Sequence, residues 1–441
     1  MGENTTLLCV PLISHNVEDM LVQMNRAKAS GADLVEIRLD HLEAFRPSED
    51  LQRLLSDRPL PALVTYRPKW EGGEYEGDDH TRLDVLRLAM EMGADYIDVE
   101  LQVPIIGLVM RERGWISRIL CPKFGGYLTF GTLEAGKESA PGQLTMKELL
   151  NVYNIRQIGR DTKVYGIIGN PVGHSKGPIL HNEAFTSVGL NAVYVPFLVD
   201  NLREFLHVYS SPDFSGFSCT IPHKEAAVEC CDEVDPVAKS IGAVNTIVRR
   251  KSDGKLVGYN TDYQGAISAI EDGMRGSYGA TDKIGSPLAG KLFVVIGAGG
   301  AGKALAFGAK GKGARIVIAN RSYDRAKALA SLVGGEAISL GDLESFHPDE
   351  GMILANSTSI GMHPNIDETP ISKQALKSYS VVFDAVYTPK VTRLLTEAEE
   401  VGATVVSGLE MFIRQAMGQF ELFTGLRAPE KVMREAVMRN I

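Results

Sequence analysis

A strand pattern and a helix pattern meet at a run of glycines in residues 291–322, KLFVVIGAGGAGKALAFGAKGKGARIVIANRS. Gly297, Gly299 and Gly302 form G-x-G-x-x-G directly after the apolar strand and directly before the helix. Glycine is needed at such a turn because a side chain would keep the backbone and the helix N-terminus away from a bound pyrophosphate. The motif alone is weak evidence, but a second strand pattern ending at Ala319 completes the unit. The sequence therefore predicts a dinucleotide-binding α/β domain here.

The residues that follow the second strand predict which dinucleotide is bound. NAD-dependent domains usually carry an acidic residue there, about 20 residues past the glycines, to bind the ribose hydroxyls. This chain has Asn320, Arg321, Ser322 and Arg325 instead. Two guanidinium groups with amide and hydroxyl donors suit the 2′-phosphate of NADP. The alternative is that Asp324 takes the acidic role at a basic helix start.

Length and composition limit the other classes. A chain of 441 residues is too long for a single core, so two or three domains are expected. A net charge of −9 argues against a nucleic-acid partner, and no apolar run approaches the roughly 18–20 residues that span a bilayer. Neither the five cysteines nor the histidines show metal-ligand spacing, so we expect no metal. Cys230 and Cys231 are expected to be reduced thiols in a reducing compartment.

The first residues, MGENTT, lack the apolar core of a secretory signal and the Arg- and Ser-rich composition of a transit peptide. Gly2 and Thr6 fit the loose myristoylation pattern, but nothing basic or lipid-like follows, so chance explains the match better. These residues by themselves are compatible with a cytoplasmic location.

The first third of the chain alternates strand and helix patterns, which predicts a parallel sheet. The strand patterns cover Cys9–Ile13, Leu34–Asp40, Ala62–Pro68, Tyr96–Leu101, Pro104–Met110 and Tyr127–Thr132. Glu36, Arg38 and Asp40 alternate late in the second pattern, so all three should point to one side of that strand. With Arg67 and Glu100 closing the next two strands, these charges are typical of a β/α-barrel active site. Structural ion pairs in a barrel mouth would explain them equally well.

Only Gln102 and Val103 separate the strand patterns Tyr96–Leu101 and Pro104–Met110. A two-residue hairpin needs Asn-Gly, Asp-Gly or a glycine at its turn, and Gln-Val provides none of these. Parallel neighbours would need a crossover of about a dozen residues or more. The junction fits neither kind of connection.

The stretches LVEIRLD, LVTYRPKWEGGEYEG, YIDVEL, ISRILCPKFGGYLTFG and SAPGQLT resemble the type I 3-dehydroquinate dehydratase barrel in its plant form. The resemblance implies that six residues face the substrate. They are Glu36, Arg38, Arg67, Arg118, Ser139 and Gln143. Arginines suit a carboxylate substrate because a planar guanidinium binds it through two hydrogen bonds.

The chemistry of that family needs a Schiff-base lysine and a partner histidine, which it carries on the fifth and sixth strands. This sequence passes from the fourth strand straight into what matches the seventh. The lysines of this region lie in helix or loop patterns: Lys28, Lys69, Lys123, Lys137 and Lys147. Two missing units of a (β/α)8 barrel amount to roughly 60 residues. The junction is therefore predicted to mark the position of an internal deletion, and the dehydratase is predicted to be inactive.

The motifs GHSKGP, TIPHKE, GAVNT, YNTD, GAGGAGKA, NSTSIGM, VFDAVYTP and SGLEMFIRQA resemble, in this order, shikimate dehydrogenase over nearly all of Val164–Glu421. With the barrel in front, the chain is similar to the plant bifunctional dehydratase–dehydrogenase family of the shikimate pathway, which implies a plastid stroma location. The implied fold is α/β, an incomplete (β/α)8-type barrel fused to a two-domain dehydrogenase. Its parts are the barrel at 1–160, a substrate domain at 161–262 with 408–441, and a Rossmann NADP domain at 263–407.

The resemblance assigns Lys224 and Asp262 as the catalytic pair. Alcohol oxidation removes the hydroxyl proton, which a lysine can take while a carboxylate orients it. Without the family, a lysine after Pro-His would be interpreted as a surface residue at a helix start. The implied substrate-binding residues are Ser175, which would hold the carboxylate, Thr220, Asn245, Thr261, Tyr387, Gln415 and Gln419. The implied cofactor-binding residues are Gly297, Ala298, Gly299, Gly300, Gly302, Asn320, Arg321, Ser322, Arg325 and Gly408.

Several of these residues have a plainer explanation when each is taken alone. Asn245 and Thr261 could be turn residues, and Gln419 a solvated helix position. His174 and His223 flank the motifs, and we interpret them as structural neighbours rather than proton carriers.

Gly177 departs from the family motif, which has a second serine two residues after Ser175. The missing hydroxyl weakens one contact to a carboxylate, by about 1.5–3 kcal/mol, and leaves room for the tetrahedral C1 of quinate. The alternative is drift compensated by backbone N–H groups. Shikimate is the favoured substrate, with quinate oxidation and gallate formation from 3-dehydroshikimate left open. A wholly non-catalytic relic is the hypothesis of a different class.

Overall fold

The computed structural model describes residues 6–98, 114–139, 142–173, 175–278 and 285–440. They form two compact units, Met1–Lys163 with Asn191–Phe197, and Val164–Leu190 with Leu198–Ile441. None of the helices within these ranges has both the length and the apolar character that a bilayer crossing needs.

The first unit contains one sheet flanked by short helices. Its strands are β1 (Leu7–Leu12), β2 (Leu34–Arg38), β3 (Ala62–Thr65), β4 (Tyr96–Asp98), β5 (Leu128–Thr132) and β6 (Leu144–Thr145). Its helices are α1 (Val17–Ala29), α2 (Pro47–Leu55), α3 (Asp79–Glu91), α4 (Gly114–Ile119) and α5 (Met146–Asn151). Side-chain caps start three of them: Asn16 at α1, Asp78 at α3, and Thr145 with Glu148 at α5.

The described strands of this sheet run in the order β4-β3-β2-β1-β5-β6, and all their pairings are parallel, as predicted. Within the described residues, β4 and β6 are the terminal strands and no pairing between them closes a barrel. Cys9, Leu34 and Leu63 pack together between the strands. The second half of the predicted junction, Pro104–Met110, lies outside the described residues, as does Glu100.

Two strand predictions are wrong in this unit. β3 ends at Thr65, so Arg67 follows that strand instead of closing it. Asp40 was expected to continue the strand that carries Glu36 and Arg38, but β2 ends at Arg38. The backbone turns there into a 3-10 turn, Leu39–His41, because the Asp40 carboxylate accepts hydrogen bonds from Arg38 and from the backbone N–H of Glu74.

The second unit begins with a mixed sheet. Its strands are β7 (Lys163–Gly169), β8 (Ala192–Leu198, which starts in the first unit), β9 (Phe214–Cys219), β10 (Glu233–Val234), β11 (Thr246–Arg249) and β12 (Leu256–Tyr259). Its helices are α6 (Gly177–Ser187), α7 (Leu202–Val208), α8 (Ala226–Cys230), α9 (Pro236–Ile241) and α10 (Asp262–Tyr278). The strands β10, β12, β11, β9 and β7 are neighbours in that order. The stretch AVNTIVRRKSDGKLVGYNTD predicts a hairpin that turns at Asp253 and Gly254. This is confirmed: β11 and β12 pair antiparallel, and Gly254 in the turn has φ +76°.

The remaining strands form a parallel sheet in the order β15-β14-β13-β16-β17-β18. They are β13 (Leu292–Ile296), β14 (Arg315–Asn320), β15 (Glu336–Ser339), β16 (Met352–Asn356), β17 (Tyr379–Asp384) and β18 (Thr404–Ser407). The helices are α11 (Gly300–Gly311), α12 (Tyr323–Val333), α13 (Arg393–Glu400), α14 (Gly408–Thr424) and α15 (Glu430–Met438). The strand order reverses between β13 and β16, where doubly wound sheets bind dinucleotides. This confirms the predicted Rossmann topology.

Helix α14 returns to the mixed sheet, as predicted for the C-terminal helix. It packs on α10 and contacts β9 and β11. The approach of α10 is close, because a Cβ atom at Gly265 would lie 2.9 Å from the backbone N of Gln415. Residues of α14 therefore reach the carboxyl end of the strands that precede Lys224 and Asp262.

Candidate active site

The glycine loop between β13 and α11 has no room for side chains at two positions. Gly297 has φ +106°, a left-handed conformation that favours glycine. A Cβ atom at Gly302 would lie 2.2 Å from the carbonyl oxygen of Gly297. The first turn of α11, which begins at Gly300, therefore lies directly against the end of β13. Its free N–H groups are available to an anion, and a dinucleotide pyrophosphate fits this arrangement.

The basic residues after β14 lie beside the same loop. Arg325 Nη2 donates to the carbonyl oxygen of Ala298 at 3.4 Å, so its guanidinium reaches the glycine loop itself. Asn320 Nδ2 donates to the carbonyl oxygen of Ser322 at 2.9 Å, which shapes the turn into α12. Arg321 and Arg325 are exposed, as is the competing Asp324. The cations predicted for the 2′-phosphate thus lie where the ribose of a bound dinucleotide would be expected.

Lys224 and Asp262 form an ion pair. Lys224 lies in the turn between β9 and α8, and Asp262 is the first residue of α10. The Lys224 Nζ atom donates to Asp262 Oδ2 at 2.7 Å. Their side chains are 18% and 5% exposed, so the ammonium retains access to solvent while the carboxylate is enclosed.

Asn245 connects this ion pair to the neighbouring loop. Its Nδ2 donates to Asp262 Oδ1 at 2.8 Å and to Thr261 Oγ1 at 2.9 Å. Its Oδ1 accepts from the backbone N–H of Thr261 at 2.8 Å. With one carboxylate oxygen bound to Lys224 and the other to Asn245, the orientation of Asp262 is fixed from both sides.

The ion pair also lies next to the dinucleotide loop. A Cβ atom at Gly300 would come within 3.2 Å of Lys224 Cδ. Sequence reasoning missed a second contact here: Lys303 Nζ, on the first turn of α11, is 3.1 Å from Oε1 of Glu225. No local motif predicts such a pair, because the two residues are far apart in the chain.

Three further predicted substrate residues, Gln415, Tyr387 and Gly177, have contacts in the structure. Asn245 Nδ2 approaches Gln415 Oε1 at 3.5 Å. The ring of Tyr387 stacks on Phe412, one turn before Ala416 on α14, with centroids 4.8 Å apart. Burial raises the pKa of the Tyr387 hydroxyl. The backbone N–H of Gly177, the first residue of α6, donates to Ser175 Oγ at 3.1 Å.

Two other predicted residues, Gly408 and Thr220, lie against the protein backbone. A Cβ atom at Gly408 would lie 2.5 Å from the carbonyl oxygen of Ala385, so glycine lets α14 start against β17. Thr220 donates its backbone N–H to the carbonyl oxygen of Ile168 at 2.9 Å.

The structure describes one of the two histidines that flank the motifs. His223 is buried, and its Nε2 lies 2.7 Å from the carbonyl oxygen of Val199, as expected of a structural neighbour. His174 lies outside the described residues.

The charged residues at the ends of the first sheet pair with one another. Arg38 donates Nε and Nη2 to the two carboxylate oxygens of Asp40, at 2.9 and 2.7 Å. Arg67 pairs with Asp98, a partner that the sequence patterns did not indicate. Glu36 is 4% exposed, and burial raises its pKa.

The remaining predicted dehydratase residues lie on the other side of β1. Gln143 Nε2 donates to Ser139 Oγ at 2.7 Å, and the Ser139 backbone N–H returns a hydrogen bond to Gln143 Oε1. Burial lowers the pKa of Arg118 on α4. Lys123, the most enclosed of the candidate lysines, donates to the carbonyl oxygens of Arg160 and Thr162 at 2.7 and 2.9 Å.

Family models match nearly the whole chain. The type I 3-dehydroquinase model matches residues 8–104 and 102–160. Three further models match parts of the rest of the chain. The shikimate dehydrogenase substrate binding domain matches 167–247 and the shikimate/quinate 5-dehydrogenase matches 280–385. The shikimate 5′-dehydrogenase C-terminal domain matches 408–438. A chloroplastic bifunctional 3-dehydroquinate dehydratase/shikimate dehydrogenase of Arabidopsis thaliana is 57% identical over 98% of this chain and 84% of that protein.

The chain belongs to the bifunctional 3-dehydroquinate dehydratase/shikimate dehydrogenase family. Two further relatives cover its dehydrogenase part. The NADP(+) shikimate dehydrogenase of Bacillus mycoides is 40% identical over 63% of this chain and 99% of its own length. The Thermus thermophilus shikimate 5-dehydrogenase, solved with NADP(H) and shikimate, is 33% identical over 64% of this chain and all of that one, with a TM-score of 0.55.

The comparison with the bifunctional family also bears on the junction. The dehydratase model breaks and resumes at residues 102–104, where the two strand patterns abut. The alignment with the Arabidopsis relative spans 505 positions, more than the 441 residues of this chain, so at least 64 residues of that relative have no counterpart here. This number of residues is close to the length of two βα units.

Proposed function

We propose that this protein is an NADP-dependent shikimate dehydrogenase that reduces 3-dehydroshikimate to shikimate. The observation that carries the proposal is the Lys224–Asp262 ion pair, 2.7 Å long, directly beside Gly300 at the start of α11. The names of the Bacillus and Thermus relatives support the same activity and cofactor.

The cofactor contacts follow from the geometry of the loop. The N–H groups of the first turn of α11 would bind the pyrophosphate, and Arg321 and Arg325 the 2′-phosphate. NADP, when bound, supplies the hydride acceptor for the alcohol and, when reduced, the donor for the ketone. The chain itself contributes the proton transfer and the alignment of the substrate.

We assign the transfer of the substrate hydroxyl proton to Lys224. In the oxidative direction its neutral amine takes the hydroxyl proton, and in the reductive direction its ammonium returns that proton to the carbonyl oxygen. Asp262 stabilises the ammonium, and Asn245 holds the second oxygen of Asp262 so that the carboxylate cannot rotate away. Thr261 and Gln415, which share Asn245 as a neighbour, are placed to bind the ring hydroxyls.

Quinate oxidation is the second candidate, and Gly177 is the observation that favours it. The residue contributes only a backbone N–H, which donates to Ser175 Oγ. Ser175 is thus the sole hydroxyl of the family's serine pair, and the space of the missing side chain suits a tetrahedral C1. Gallate formation from 3-dehydroshikimate uses the same site, with oxidation in place of reduction.

For the dehydratase region we propose loss of activity. None of the described strands of the first sheet, β1 to β6, carries a lysine, and Lys123 is held by two backbone carbonyls. The arginines that would bind the substrate carboxylate pair instead with Asp40 and Asp98. We also propose a plastid location, since the Arabidopsis relative is chloroplastic.

The test is the absorbance of the reduced nicotinamide, measured with shikimate or quinate and with NADP or NAD. We expect turnover with shikimate and NADP, a lower rate with NAD, and a lower rate with quinate. Faster quinate turnover would replace the first proposal with the second. The absence of turnover with either acid and either cofactor, in protein that binds NADP, would favour a non-catalytic relic.

A further inference from the structure

Gln419 lies on α14, one turn after Gln415, and its side chain is enclosed. The residue is 3% exposed. Its Oε1 accepts a hydrogen bond from Ser218 Oγ at 2.7 Å, and its Nε2 donates to the backbone carbonyl oxygen of Asn245 at 3.2 Å. These two bonds use one lone pair of Oε1 and one N–H of Nε2, so the amide retains a lone pair and an N–H for a substrate hydroxyl. They also tie Gln419 to the protein itself, which the substrate contact assigned by the family resemblance does not explain.

The residue that Gln419 holds is the one that orients Asp262. The carbonyl oxygen of Asn245 accepts from Gln419 and also from the backbone N–H of Cys219, at 2.7 Å. The Asn245 side chain, on the same residue, reaches Asp262 and Thr261. A shift of the Asn245 backbone would move its amide, and the carboxylate that pairs with Lys224 would lose its support.

A buried histidine, His181, also interacts with the Gln419 side chain. His181, on α6, is 1% exposed and shares a hydrogen bond with the Gln419 side chain. Burial lowers the pKa of His181 to about 3, so its ring is neutral at physiological pH. Ser218, Gln419 and His181 thus form a neutral buried network, which holds a fixed geometry without the desolvation cost of a charge.

We propose that Gln419 is a positioning residue of the dehydrogenase. Together with Ser218 and His181 it fixes the backbone of Asn245, and through Asn245 the Asp262–Lys224 pair, in addition to any contact with the substrate. The inference deepens the proposed function and rests on it. Small displacements of reacting groups lower rates steeply, by up to about a hundredfold for 1 Å.

The first test compares two glutamines on one face of α14. Gln419→Met removes both amide hydrogen bonds at similar volume, and we expect kcat with shikimate to fall roughly 10- to 100-fold while the KM for shikimate changes less than about threefold. Gln415→Met, one turn earlier and half-buried, should instead raise that KM. Thr424→Val removes a hydrogen bond to the Phe420 carbonyl at the end of the same helix and should keep full activity.

A second variant gives a signature that a purely structural role would lack. Gln419→Glu introduces a carboxyl whose pKa burial should raise. The protonated acid retains an O–H for the Asn245 carbonyl and an oxygen for Ser218, whereas the ionised form loses the donor. The ratio of the kcat of Gln419→Glu to that of the unmodified protein should therefore be near 1 at low pH and fall as pH rises.

The outcomes separate the two proposals. A wild-type kcat in Gln419→Met, or a raised KM like that of Gln415→Met, would overturn the positioning role. Lack of shikimate turnover in the unmodified protein would overturn the proposed function instead. In that case hydrogen exchange decides the inference: the segment 243–247 should exchange faster in Gln419→Met than in Thr424→Val, and equal rates would refute it.

Discussion

The Nζ atom of Lys303 lies 3.1 Å from Oε1 of Glu225, the residue that follows Lys224 in the chain. The same oxygen lies 4.0 Å from Nη2 of Arg325, which is predicted to bind the 2′-phosphate of NADP. One carboxylate therefore neutralises two cations beside the glycine loop, and a phosphate group bound there must compete with it.

Glu225→Gln should increase the preference for NADP. Removing the carboxylate frees Arg325 for the extra phosphate of NADP, which NAD lacks. The groups are largely exposed, so the effect corresponds to about 0.2–1 kcal/mol, or roughly 1.4- to 5-fold in the ratio of the two dissociation constants. Titration of both cofactors by fluorescence measures this ratio. A ratio that stays constant or falls would remove Glu225 from cofactor selection.

Lys224→Ala and Asp262→Asn should each slow shikimate oxidation by about 10²- to 10⁴-fold, the usual contribution of acid–base catalysis. The dissociation constant of NADP should change less than about twofold, because neither residue is assigned to the dinucleotide. Lys251→Ala, on the exposed β11–β12 turn, is the matched control. Near-normal rates in both variants would show that the proton is carried elsewhere.

Gly177→Ser should shift selectivity toward shikimate. The added hydroxyl restores a donor to the substrate carboxylate, with a gain of about 1.5–3 kcal/mol, and fills the space near C1. The ratio of kcat/KM for shikimate to that for quinate is therefore expected to rise about 10-fold or more. Gly177 begins α6 and does not have a positive φ, so a serine there introduces no backbone strain. An unchanged ratio would leave Gly177 without a role in selectivity.

The dehydratase region should form no imine. Positioning groups such as Arg38 and Arg67 cannot replace the amine that covalent catalysis requires. Incubation of the full chain with 3-dehydroquinate and then borohydride, followed by mass spectrometry, should leave every lysine unmodified. A trapped adduct, or the appearance of enone absorbance, would mean that another lysine has taken over the reaction.

Asp384 should make stability depend on pH. Burial raises its pKa to about 6, above the value of 3.8 expected in the unfolded chain. The unfolded chain therefore releases this proton first, and the contribution of Asp384 to stability is full below pH 4 and is lost as pH rises to about 6. Asp384→Asn lacks the titration, so its free energy of unfolding relative to the unmodified protein should rise over that window, by up to about 3 kcal/mol. Urea unfolding at several pH values measures the difference, and a flat difference would contradict the raised pKa.

The Rossmann topology and the hairpin were predictable from sequence because their signals are local. Gly297 and Gly254 have the positive φ that favours glycine, and a side chain at Gly302 would clash with the carbonyl oxygen of Gly297. The course of the chain after Arg38 was not predictable in this way. The alternation of charged and apolar residues continues through Asp40 in the sequence. In the structure the strand ends two residues earlier, at Arg38, whose side chain donates a hydrogen bond to Asp40.

The site contacts that sequence reasoning missed join residues far apart in the chain. Ser218 reaches Gln419 across 201 positions of sequence, and Lys303 on α11 reaches Glu225 just before α8. The patterns identified Gln419 by its motif, but only the packing of α14 on β9 and β11 places its amide among protein partners. The pairing of Arg67 with Asp98 was likewise invisible, since Asp98 stands in an unremarkable strand end.

The interruption at residues 102–104 has a consequence for the supply of intermediates. An intact bifunctional chain delivers its two catalytic centres in a fixed one-to-one ratio, so every copy that consumes 3-dehydroshikimate also brings one centre that makes it. If the proposed loss of dehydratase activity and the proposed dehydrogenase activity both hold, this chain breaks that ratio. Each copy would then add capacity to the second step alone, and its substrate would have to arrive by diffusion from a dehydratase on a separate polypeptide.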